Sequence, residues 1–171
     1  MELVRPSTAD FRSFQRSMGK WDGAHQDGAG IRDSRAVTDR GGFELWVDQL
    51  LDEETRPARA DFVTCTYLWL IDQGEYVGSV ALRHGLNDYL FSDGGHIGYG
   101  VRPSARGRGF ATEALGRTLS VAHDRGLERV LLVADAENTA SRRTIERNGG
   151  RFENEVEHEG NILQRFWLTP A

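Results

Sequence analysis

The sequence predicts one mixed α/β domain, and three observations predict it. At 171 residues the chain is long enough for one sizeable core and short for two. Apolar spacing switches between the alternating and the helical period along the chain, in the order β-α-α-β-β-β-α-β-α-β-β. No internal repeat and no break in composition divides residues 1–171.

Glu2 to Arg5 reads as a short strand closed by Pro6, and Ser7 or Thr8 caps a helix through Phe11, Phe14 and Met18. Trp21 to Gly42 is rich in Gly and Asp and poor in apolar side chains; loops this long in a compact domain are usually functional or mobile. Phe43, Trp46, Val47, Leu50 and Leu51 recur at helical spacing and stop before Pro57. Two strand-like runs follow, Phe62 to Asp72 and Tyr76 to Arg83, joined at Gln73-Gly74. Beyond a polar loop, Gly85 to Gly95, a third strand spans His96 to Val101 and halts before Pro103. Phe110 to Arg125 is a helix striped by Ala111, Ala114, Leu115, Thr118, Leu119 and Ala122, and Gly126 ends it. Val130 to Ala134 is a continuous apolar run, as in a strand covered on both faces. Asn138 caps a helix through Ile145 that stops at Gly149-Gly150, and strands at Arg151–Val156 and Leu163–Leu168 complete the order.

Charge and composition exclude several function classes. Acidic residues outnumber basic ones by 26 to 21, which argues against a general nucleic-acid binder. The one lysine, Lys20, precedes Trp21, whereas a Walker loop places its lysine between Gly and Ser or Thr. Nor does any motif around Lys20 support Schiff-base or kinase chemistry. From Gly95 to Arg151 ten arginines stand against six acids, either a site for a compact anion or an arginine-rich coding bias. Cys65 is the only cysteine, so an internal disulfide and a cysteine zinc cluster are excluded, and it reads as a small buried filler. His84 and His96 stand apart from other ligand types, and no metal site is expected. No apolar run approaches the roughly 20 residues of a membrane span. The start, Met-Glu-Leu-Val-Arg-Pro, lacks a signal peptide's basic and apolar blocks. A soluble cytoplasmic protein is expected, with neither membrane nor nucleic acid as a partner.

The chemistry is concentrated in Gly98-Tyr99-Gly100-Val101-Arg102-Pro103-Ser104-Ala105-Arg106-Gly107-Arg108-Gly109-Phe110-Ala111-Thr112. This is a strand, an Arg- and Gly-rich turn, and a helix start. Glycines admit a ligand close to the backbone, and free N–H groups at a helix N-terminus form a nest for an anion. A dinucleotide fingerprint fails, because Thr112 stands where its third glycine belongs. The pattern is Arg-x-x-Gly-x-Ala at Arg106, Gly109 and Ala111. With the strand at Val130–Ala134 and the Asn138-led helix ending in Gly149-Gly150, it resembles the pyrophosphate-binding motif and second conserved segment of the GNAT N-acetyltransferases. The stretches Gly95–Tyr99 and Asn148–Glu155 look like a bacterial subgroup with unassigned substrates.

That resemblance implies the acyl-CoA N-acyltransferase fold, a single mixed, mostly antiparallel sheet flanked by helices. It implies acetyl-CoA as cosubstrate, with Tyr99, Gly100 and Val101 along the pantetheine arm and Asn138 near it. Arg106, Gly107, Arg108, Gly109, Phe110, Ala111 and Thr112 would surround the diphosphate. The implied reaction moves acetyl directly to a primary amine of a small molecule or peptide, and a homodimer is the assembly considered.

Two positions depart from the family's pattern: Ile145 stands where many members carry a tyrosine acid, and Val133 where some carry a glutamate. His96 is a candidate base, or else a strand-edge histidine bonded to the glycine-rich loop. Tyr99 could protonate the departing thiolate, or simply pack. Arg83, His84, Asn87 and Asp88 cluster where the acceptor is expected, as substrate contacts or as a solvated loop. His25, His123 and His158 sit in polar contexts and are assigned no chemistry. The missing tyrosine keeps a rival function open, a non-catalytic acyl-CoA-binding or sensing domain.

Overall fold

The computed structural model describes residues 1–33 and 37–171, and within these the elements follow the predicted order. They are β1 (Glu2–Val4), α1 (Phe11–Met18), α2 (Arg40–Asp52), β2 (Cys65–Asp72), β3 (Glu75–Arg83) and β4 (Ile97–Val101). After these come α3 (Phe110–Asp124), β5 (Val130–Asp135), α4 (Thr139–Arg147), β6 (Arg151–His158) and β7 (Asn161–Leu168).

Local chemistry explains where these boundaries fall. Helix α2 starts ahead of its apolar stripe because the Asp39 carboxylate accepts from the Gly42 N–H (2.8 Å). Strand β2 begins at Cys65, not at the predicted Phe62. Phe62 stays outside the sheet under the guanidinium groups of Arg32 and Arg59, and the chain joins it where the Cys65 N–H donates to the Glu53 carbonyl (2.9 Å). The β2–β3 turn is made by Gln73 and Gly74, both at positive φ, the geometry that matches strand twist in a two-residue hairpin.

Hydrogen bonding runs antiparallel in the order β1-β2-β3-β4 and, separately, β5-β7-β6. The two halves meet at one end of β4 and β5. There Gly95 leaves no side chain to collide with the Leu131 carbonyl, and the His96 N–H donates to that carbonyl (2.7 Å). Past this junction β4 and β5 are not paired with each other among the described residues, so the sheet opens between them.

Each face of the sheet carries its own core. On one side α3 and α4 bury Leu115, Leu119 and Ile145 against Val80, Leu82, Val101 and Phe166. On the other, Phe14, Phe43, Trp46, Trp69 and Tyr76 form an aromatic cluster with neighbouring ring centroids 5.0 to 6.2 Å apart. Strand alternation sends Val80, Leu82, Ile97 and Val101 to the α3 side and Ala81 to the α2 side, and the register shift between Gly78 and Tyr76 turns the Tyr76 ring to the α2 side as well.

Of the Gly- and Asp-rich 21–42 stretch, positions 34–36 lie outside the described residues. Its earlier part lies on the α2 face of β3 and β4. Trp21 is buried there, and Trp46 Nε1 donates to the Gly30 carbonyl (3.3 Å). A β-carbon on Gly28 would collide with the Gly98 carbonyl, and one on Gly100 would lie 2.8 Å from the Asp27 carbonyl. Glycine in both partners is therefore what lets this loop lie on the sheet.

Candidate active site

A cavity of about 990 Å³ follows the opening between β4 and β5 and is lined from both faces of the sheet. On the α3 face lies the glycine-rich turn. Gly107 (φ 77°) and Gly109 (φ 82°) adopt left-handed backbone, and no atom lies within 4 Å of where a β-carbon would sit on either. Among the described residues no side chain caps α3, and its first backbone bond runs from the Glu113 N–H to the Gly109 carbonyl. Among the described residues the N–H groups of Phe110, Ala111 and Thr112 thus have no acceptor, at the positive end of a 15-residue helix. These features fit the diphosphate that the sequence motif implies.

The arginines divide differently from the expectation. Arg106 lines the cavity, and its Nε donates to the Val101 carbonyl (2.9 Å), pinning the turn. Arg108 must be corrected: it is absent from the cavity wall, pairs with Asp72 (2.9 Å) and stacks on the Phe110 ring, so its charge is spent outside. Arg143 and Arg147 line the cavity instead. Their four-residue spacing puts both on one face of α4, a signal available in the sequence but unread there.

Asn138 lines the cavity, and its side-chain oxygen caps α4 by accepting from the Ser141 N–H (3.0 Å). Tyr99 points to the α4 side, with its hydroxyl 2.9 Å from Ser141 Oγ. Burial raises the Tyr99 phenol above its ordinary 10, against the opposing effect of hydrogen bonds to Ser141 and Thr144. Ser141 was missed by sequence reasoning. It stands one turn before Ile145 and so shares its side of the helix. Ile145 itself is fully buried in the α3-side core and has no route to a ligand, while Val133 lines the cavity as an apolar wall.

His96 is a second correction. It is buried, lies outside the cavity wall, and its Nδ1 accepts from the Leu131 N–H (2.9 Å). Burial, aided by the nearby Arg83 charge, lowers its imidazole from 6.5 to about 4. The nitrogen that a base needs is committed to joining the sheet halves. His84 is a third: its ring bonds Thr64 and Thr66, away from the cavity, and burial followed by the Arg125 charge lowers its pKa. Asn87 lines the cavity, but its amide donates to the Asp61 carbonyl and its oxygen accepts from the Leu90 N–H. Asp88 is exposed and lies off the cavity wall.

Arg83 keeps its place at the cavity, on the α2 face. Two further features there escaped the sequence reading. His25 lines the cavity with Nδ1 2.8 Å from Asp27 Oδ1. Glu53, nearly fully buried, accepts from both terminal nitrogens of Arg32 (2.6 and 2.7 Å), from Gln49 (2.8 Å) and from the Tyr67 hydroxyl (2.9 Å). Burial pushes its carboxyl up, but these donors outweigh it and hold the group below its ordinary value. The Arg32–Glu53 pair ties the 21–33 segment over the α2 side of the cavity.

Comparison with known proteins shows the family and the fold. The acetyltransferase (GNAT) domain model matches residues 2–151. Ribosomal-protein-S5-alanine acetyltransferase from Vibrio fischeri superposes with a TM-score of 0.74 at 14% identity, over 98% of this chain and 92% of that one. A ribosomal L7/L12 α-N-protein acetyltransferase solved with coenzyme A gives 0.69 at 16% identity, over 98% and 92%. An acetyltransferase from Salmonella typhimurium solved with acetyl-CoA gives 0.63 at 16% identity, over 99% and 94%. At these identities the likeness is one of fold; among curated proteins no match is found. The matched family model spans the glycine-rich turn (the candidate diphosphate cradle), the opened strand pair and the Asn138-led helix, and the chain belongs to the GNAT family of acetyl-CoA-dependent N-acetyltransferases.

Proposed function

We propose that this chain acetylates a primary amine of a small molecule or peptide by direct attack, with the cofactor on the α3 face and the acceptor on the α2 face. The observation that carries this reading is the uncapped start of α3 facing a cavity that passes through the sheet between β4 and β5. Acetyl-CoA supplies an activated acyl group as a thioester. The backbone of Gly107 to Thr112 holds the diphosphate, Arg106, Arg143 and Arg147 add charge, and Tyr99, Gly100, Val101 and Asn138 flank the arm.

Acid and base come from opposite faces. The raised Tyr99 phenol stays protonated through neutral pH, so it can give its proton to the leaving sulfur while Ser141 hydrogen-bonds the same oxygen. On the acceptor side His25, steered by Asp27, takes the proton of the attacking amine. Direct transfer is favoured over an acyl-enzyme because Cys65, the only thiol, is pushed up to about 12 by burial and is not a thiolate. The neighbours that act on ribosomal-protein amino groups support an amine acceptor. The sensor reading draws no support from the family match. Among the described residues no helix is long and apolar enough to cross a membrane, in keeping with our assignment to the cytoplasm.

The test is release of free CoA from acetyl-CoA across a panel of amines, with initial rates at varied concentrations of both substrates. Turnover with intersecting double-reciprocal lines is expected. Parallel lines would point to an acyl-enzyme, and tight acetyl-CoA binding without turnover on any amine would favour the sensor.

A further inference from the structure

Arg83 ends β3 on the acceptor side of the cavity. Its Nη1 donates to the carbonyls of Gly94 (2.9 Å) and Gly95 (3.1 Å), which uses both hydrogens of that nitrogen. Among the described residues Nε and Nη2 have no protein acceptor and neither is buried, so solvent reaches both. Among the described residues no carboxylate lies within ion-pair distance of Arg83. The free Nε–Nη2 edge is the edge of a guanidinium that grips a carboxylate through two parallel hydrogen bonds.

Its position connects that edge to the reacting centre. A β-carbon on Gly98 would stand 3.6 Å from both terminal nitrogens of Arg83 and 3.7 Å from the Gly28 nitrogen. Gly98 immediately precedes Tyr99 on the strand that borders the opening. The 21–33 segment, tied down by Arg32 to Glu53, lies over this corner and favours a compact acceptor over an extended one. The Arg83 charge also reaches the neighbouring groups, opposing the rise at Cys65 and adding to the depression at His96.

Resting on the acetyltransferase reading above, we infer that Arg83 binds the carboxylate of the acceptor, and that the acceptor is a small amine with its carboxylate close to the nucleophile, a free amino acid. In a peptide N-terminus or an amino-acid amide a neutral carbonyl replaces that carboxylate, and the arginine edge loses its ionic partner.

The experiment measures kcat/KM for the twenty common L-amino acids and their α-amides at saturating acetyl-CoA, with acetyl-CoA binding followed by calorimetry. At least one free acid should exceed its amide by roughly tenfold or more. Arg83→Gln should bring that ratio near one by raising KM for the acid, with acetyl-CoA affinity kept as the check on folding. Arg83→Lys, which keeps the cation and loses the fork, should fall between. Amides or short peptides preferred throughout, or an equal loss on acid and amide in Arg83→Gln, would overturn the inference. Acetyl-CoA binding with no free amino acid accepted would overturn it while leaving the cofactor assignment standing. Absence of acetyl-CoA binding would overturn both.

Discussion

The two faces of the opened sheet meet the cavity by different means. On the α3 face the contact surface is mostly backbone, and it comes from one continuous run, Gly107 to Thr112. On the α2 face it is made of side chains from separate segments: Asp27 from the long loop, Glu53 after α2, and Arg83 at the end of β3. A local backbone device binds whatever carries a diphosphate, and its geometry follows from two glycines and a helix start. A set of side chains gathered from distant positions is what can change with the acceptor while the fold stays the same.

The comparison breaks first at Gly109. At φ 82° a β-branched residue is strained, so Gly109→Val should weaken acetyl-CoA binding by roughly a hundredfold, as calorimetry would report. Unchanged affinity would remove the cradle. Next, Tyr99→Phe should lower kcat by roughly ten- to a hundredfold with little change in acetyl-CoA affinity. Adding Ser141→Ala should cost little more, because both groups serve one proton. Losses that multiply fully would separate the two roles.

His96 sharpens the comparison at the junction where the faces meet. Its imidazole is held neutral, at about 4 against 6.5, so the unfolded chain takes up that proton first as pH falls. The contribution is complete above about pH 6.5 and is lost by about pH 4, amounting to about 3 kcal/mol at most. Urea midpoints between pH 7 and 4 should fall less steeply in His96→Gln than in the parent. Equal slopes would contradict the assignment. The smallest effect is expected at His25, which is largely exposed: His25→Ala should reduce kcat/KM several-fold with acetyl-CoA affinity kept. A kcat/KM identical to the parent's would hand the amine's proton to water.

What the sequence made legible follows the same division. The cradle and the α4 cap were readable because each is set by residues a few positions apart, as Gly109 with Phe110 and Asn138 with Ser141 show. Element order was readable because apolar spacing is local. His96 misled because a histidine on a strand beside the cradle has the chemistry of a base, and only the fold brings the Leu131 N–H to its Nδ1. Arg108 misled for a similar reason: Asp72, which takes its charge, is 36 positions away in the chain (108 − 72). His25 was set aside because nothing within its loop announces that Gly28 and Gly98 permit close packing onto β4.

A crystal structure of the chain with coenzyme A tests the central claim most directly. The diphosphate should accept hydrogen bonds from the backbone N–H groups between Gly107 and Thr112, with the thiol end entering the opening between β4 and β5. Phosphates bound elsewhere, or an arm that stays on the α3 face without entering that opening, would contradict a cavity that passes through the sheet.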